Sequence, residues 1–83
     1  MTTFSKARVL VTLRPEILDA QGEAIKASLQ TMGFSDLRSV RVGKLIEIEM
    51  SAEINAQGFA DIEKMATSLL ANPIIEDFKV EAL

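Results

Sequence analysis

The chain has 83 residues, a formal net charge of −3, no cysteine and no histidine. One domain of this size buries only about 60% of its unfolded surface, so the core is expected to be thin and to benefit from a partner chain. The missing residue types exclude a disulfide framework, a thiolate zinc site and the usual neutral-pH base, and the acidic balance gives no electrostatic footprint for nucleic acid.

No apolar run approaches the ~20 residues of a membrane span, and the N-terminus lacks the basic and apolar regions of a secretory signal. The expectation is a soluble, cytoplasmic protein of one domain over residues 1–83, with neither a nucleic-acid nor a membrane partner. A self-contained enzyme is disfavoured by the same absences.

In chain order, Ala7, Val9, Val11 and Leu13 alternate with Lys6, Arg8, Thr12 and Arg14, which predicts a half-buried strand stopped by Pro15. Leu10 falls on its otherwise polar face. Asp19 is then placed to cap a helix beginning near Ala20. Gly22, Ile25, Leu29 and Met32 share one helical face, expected to lie against the sheet, and Gly33 supplies the stop. Glycine inside a helix costs roughly 1 kcal/mol against alanine, so Gly22 is expected where another backbone comes close.

The stretch Val40 to Met50 carries the strongest pattern, with Val40, Val42, Ile46, Ile48 and Met50 apolar and Arg41, Glu47 and Glu49 charged. A two-residue turn at Gly43-Lys44 would put glutamates on the valine face, so it is disfavoured. What remains is one long strand bent at Gly43 or a three-residue loop through Leu45, and Gly43 as the only turn-former favours the bent strand. Asn55 then caps a second helix bearing Phe59, Ile62, Met65, Ala66, Leu69 and Leu70, which ends at Asn72-Pro73. A last strand from Ile75 alternates through Phe78, Val80 and Ala82.

This order predicts an α+β two-layer sandwich: a mainly antiparallel sheet with two helices on one face, a relative of ferredoxin-like folds, its sheet completed by dimerisation. Leu10 and Leu45, two apolar residues on the open charged face, are the candidate dimer contacts. Gly43-Lys44 lacks the second glycine and the hydroxyl residue of a phosphate loop. Glu47 and Glu49, about 7 Å apart on one strand face, fit cross-strand ion pairs with Arg8, Arg14 or Lys79 better than acid–base chemistry. No residues have metal-ligand spacing, and no catalytic residue is assigned.

Three segments carry a resemblance: Val40-Arg41-Val42-Gly43-Lys44 running into Ile46-Glu47, Leu18-Asp19-Ala20-Gln21-Gly22, and Leu69-Leu70-Ala71-Asn72-Pro73-Ile74-Ile75-Glu76-Asp77-Phe78. Together, over almost the whole chain, they resemble the PurS family, the small subunit of phosphoribosylformylglycinamidine (FGAM) synthase in purine biosynthesis. The family usually has proline where Ala20 stands, and proline at a first helical position only pre-organises the turn. The resemblance implies a non-catalytic subunit of a ligase complex, a homodimer that bridges a glutaminase subunit (PurQ) to a synthetase subunit (PurL) so that ammonia can pass. It implies no cofactor on this chain, ATP and magnesium being used by the synthetase. Carried over residue by residue, it points to Arg41, Gly43 and Lys44 as a partner-contacting strand, with Asp19, Gln21 and Gly22 at the helix entry and Asn72 at the second helix exit. The competing readings are a small-molecule-binding regulatory ferredoxin-like domain and a small phosphate-ester hydrolase.

Overall fold

The computed structural model describes residues 5–83, so residues 1–4 of the expected domain lie outside the described residues. The elements follow as β1 (Ser5–Leu13), α1 (Ala20–Thr31), β2 (Gly43–Met50), α2 (Ala56–Met65), a π-helical turn (Ala66–Leu70) and β3 (Glu76–Ala82). The three strands form one antiparallel sheet in the order β2-β1-β3. Val9 lies opposite Ile46 and Val80, and Ala7 opposite Ile48 and Ala82, so the apolar rows of all three strands share a face.

That face meets α2. Ile62 and Ala66 are fully buried against Ala7, Val9 and Val11, and Ile54, Leu70, Phe78 and Val80 pack around them. Burying an isoleucine completely stabilises by about 1.5–3 kcal/mol, so this small cluster supplies much of the fold's cohesion. Asn55 starts α2 by accepting from the Gly58 N–H at 2.9 Å. The π turn closes with the Ala71 N–H on the Ala66 carbonyl at 2.9 Å. This wider turn breaks the expected apolar stripe: Leu70 is half-buried and Ala71 buried, while Met65 and Leu69 are exposed.

The α+β class and the antiparallel sheet agree with the sequence, but the two helices do not both lie on the protomer's own sheet. α1 makes no extended contact with any strand or with α2. A nine-residue strand is about 30 Å long and a twelve-residue helix about 18 Å. Laid end to end they account for most of the 53 Å length of the molecule. Its radius of gyration, 16.6 Å, compares with about 12 Å for a compact chain of this length. α1 therefore stands beyond the end of the sheet as an arm. Residues 37–42 return along it, the Leu37 carbonyl accepting from Gln30 Nε2 at 3.2 Å.

Of the two alternatives for the stretch Val40 to Met50, neither forms as expected. There is no hairpin, and the favoured long strand bent at Gly43 is not made either, because residues 37–42 have no strand partner and pairing begins at Gly43 opposite Thr12. α1 ends in a Schellman stop, with the Phe34 N–H on the Leu29 carbonyl and the Gly33 N–H on that of Gln30, Gly33 at φ 106°.

Candidate functional site: the junction of arm and sheet

The last residues of β1 and the first of β2 and β3 lie at one end of the sheet, where the arm leaves. Asp19, Gln21, Gly22, Arg41, Gly43, Lys44 and Asn72, drawn from three separate segments, all fall here. Asp19 is 4% exposed. Its Oδ1 accepts from the Gly22 N–H at 2.9 Å, capping α1, and its Oδ2 accepts from the Val42 N–H at 2.6 Å on the returning segment. The Val42 bond, then the Gly22 bond, hold its pKa below the ordinary 3.8; desolvation opposes this and the Arg41 charge assists. Asp19 is thus an anion at neutral pH.

Arg41 binds in the opposite sense. Its Nη2 donates to the carbonyls of Arg14 at 2.9 Å and Ile17 at 3.1 Å, with Leu13 at 3.4 Å. Sequence reasoning assigned this guanidinium to a partner; the geometry gives it a role inside the chain as well. Gly22 sits where a backbone comes close, as expected, since a Cβ there would stand 2.1 Å from the Val40 carbonyl oxygen.

Gln21 and Lys44 are exposed and line, with Val11, Leu13, Asp19, Val42, Gly43 and Glu76, an open cleft of about 220 Å³. Lys44 faces Val11 in register. Asn72 shapes the turn into β3: its Oδ1 accepts from the Ile74 N–H at 3.1 Å, and its own N–H donates to Glu76 Oε1 at 2.7 Å. Arg14, which the sequence suggested as a strand residue and an ion-pair partner for Glu47 or Glu49, instead ties this turn to the junction. Its Nη2 donates to the Pro73 carbonyl and its Nε lies 3.6 Å from Asp77 Oδ1. An arginine at the last position before Pro15 was the available signal.

Leu10 and Leu45 lie directly opposite one another on the face away from α2, Leu10 half-buried and Leu45 exposed. Arg8 lies opposite Glu47, and Lys6 pairs with Glu49 at 3.9 Å, so the second glutamate takes Lys6 rather than the Arg8, Arg14 or Lys79 proposed for it. Among the described residues no cluster of acidic side chains could hold a metal, and no helix is long and apolar enough to cross a membrane.

Residues 6–83 match the family model of PurS, described as phosphoribosylformylglycinamidine (FGAM) synthase. The phosphoribosylformylglycinamidine synthase subunit PurS of Mycobacterium leprae is 40% identical over 77 residues, covering 93% of this chain and 94% of that one. The Synechocystis subunit of the same name is 39% identical over 74 residues, 89% of this chain and 74% of its own. Among solved structures, a chain of PurLQS from Thermotoga maritima superposes with a TM-score of 0.87 at 28% identity, covering 98% of this chain and 99% of that one. With its sequence matched nearly end to end and its backbone superposing over 98% of its length, the chain belongs to the PurS family of FGAM synthase subunits.

Proposed function

We propose that this chain is the bridging subunit of an FGAM synthase. In this reading it has no catalytic residue of its own. It joins a glutaminase subunit, which releases ammonia from glutamine, to a synthetase subunit. The synthetase uses ATP and magnesium to activate formylglycinamide ribonucleotide (FGAR) for attack by that ammonia in the cytoplasm, with ADP, phosphate and glutamate as co-products. The observation that carries the reading is the likeness to a chain of PurLQS over nearly its full length.

The working unit is a homodimer made by exchange of arms. Strand β2 is an edge of the sheet, and an unpaired edge invites a further strand. Over β2, Ile46, Ile48 and Met50 are only half-buried because α2 packs on the β3 side. The arm offers the two missing parts. Residues 37–42 are a segment without a strand partner, and α1 carries Ile25 exposed beside half-buried Leu29, with Met32 exposed at its C-cap. A second copy's arm laid on β2 gives each sheet a fourth strand and a second helix, the full ferredoxin-like arrangement. Leu10 and Leu45, first taken as dimer contacts, then lie on the opposite face, where a larger subunit can cover them.

Co-expression with a glutaminase and a synthetase tests the function. The chain should co-migrate with both on gel filtration in the presence of glutamine and MgADP. It should restore glutamine-dependent FGAM synthesis while leaving the ammonia-dependent rate unchanged. Failure to co-migrate in the presence of glutamine and MgADP would contradict the bridging role.

A further inference from the structure

We propose that Asp19 and Arg41 together form a hinge lock that holds the arm pointing away from its own sheet, so that α1 is delivered to a second copy instead of closing on β2 of the same chain. The inference rests on the arm-exchange reading above and assigns its geometry to two named positioning residues.

Two passages of chain connect sheet and arm, an outgoing one over residues 14–19 and a returning one over residues 40–43. Each carries a side chain that grips the backbone of the other. The outgoing Asp19 takes the Val42 N–H at 2.6 Å, and the returning Arg41 takes the carbonyls of Arg14 and Ile17 at 2.9 and 3.1 Å. Because the grips run in opposite directions, sliding either passage along the other breaks both. The second carboxylate oxygen of Asp19 caps α1 through Gly22, so the first turn of the helix is fixed to the same point. Gly22 lets the passages meet without a side chain between them, the Val40 carbonyl occupying the place of a Cβ.

Little else among the described residues holds the arm in this direction: α1 makes no extended contact with a strand, and along it only Gly22 is buried. A helix with an apolar face and an uncovered sheet in the same chain would gain by closing on itself, since burial is favourable whichever copy supplies the surface. In ferredoxin-like units helices lie back over their own sheet. Here the outgoing passage turns at Pro15-Glu16, closed by the Ile17 N–H on the Arg14 carbonyl at 2.9 Å, and the bonds just described tie that turn to the returning passage, which favours exchange over self-closure. The lock therefore acts on the balance between two arrangements of the same apolar contacts.

The chain has no cysteine, so a doubly substituted Ser28→Cys, Lys79→Cys protein can be spin-labelled at α1 and β3 alone. Mixed with an excess of unlabelled chain, it reports the distance within one protomer by pulsed electron–electron resonance. With the lock intact the distribution is single and long. With Asp19→Ala and Arg41→Gln combined it shortens or broadens, and the dimer dissociation constant rises about tenfold or more as closed monomers compete. Arg41→Gln alone, at an exposed position, gives a smaller change in the same direction and serves if the double variant does not fold. An unchanged distance distribution in the folded variant overturns the proposal. If the unsubstituted chain proves monomeric, the dimer reading fails, while the long intraprotomer distance and its loss in the variant still decide whether the lock exists.

Discussion

The sheet half and the arm half of this protomer are held together by different physics. In the first, Ala7, Val9, Val11, Ile62 and Ala66 are at most 1% exposed, and cohesion comes from apolar burial. In the second, the buried residues are Gly22 and the carboxylate of Asp19, and cohesion comes from hydrogen bonds at the junction. Leu18, Met32 and Phe34 of the arm are all more than half exposed. Apolar side chains gathered in this way on one region mark a surface with a partner, whereas the same residues scattered would be ordinary. One half is a finished core and the other is half of an interface.

Substitutions separate the two most sharply in the core. Ile62→Ala should lower the unfolding free energy by about 2–5 kcal/mol at any protein concentration, because it empties a fully enclosed site. Ile25→Ala on α1 should cost less than about 0.5 kcal/mol in chain diluted to monomers and become costly only where dimers form. Urea denaturation at two protein concentrations measures both. Equal, concentration-independent losses would show that α1 is packed within its own protomer and would erase the distinction.

A smaller effect is expected from pH at the junction. The folded-state pKa of Asp19 is depressed, so its contribution is complete above the ordinary 3.8 and is lost as pH falls through the lowered folded value. The stability gap between the unsubstituted chain and Asp19→Asn should therefore be constant near neutral pH and narrow in acid below 3.8. Urea midpoints for both proteins across that range give the answer, and a gap that stays constant into strong acid would mean the carboxylate charge does not support the junction.

Much of this was legible in the sequence because it is local. Asp19 and Asn55 cap the helices they were assigned to, and Gly22 marks a close backbone contact. The alternation through Ile46, Ile48 and Met50 faces the core. Periodicity also identified an apolar face on α1, but a helical pattern says only that a face must be covered, not whose surface covers it. The placement of α1 against its own sheet failed for that reason. The π turn escaped notice because Ala66 to Leu70 suits an α-helix equally well by composition. The resemblance points to Arg41 as a partner contact, and within the protomer its acceptors are main-chain carbonyls supplied by a fold the local sequence does not describe. The gathering of seven candidate residues at one junction was visible only once the strand register was known.

Sedimentation equilibrium of the unsubstituted chain across the micromolar range tests the central claim, that the arm is completed by a second copy. The account predicts a species of twice the 9.1 kDa chain mass, or an even multiple of it, with dissociation on dilution. A 9.1 kDa species alone at every concentration would contradict it.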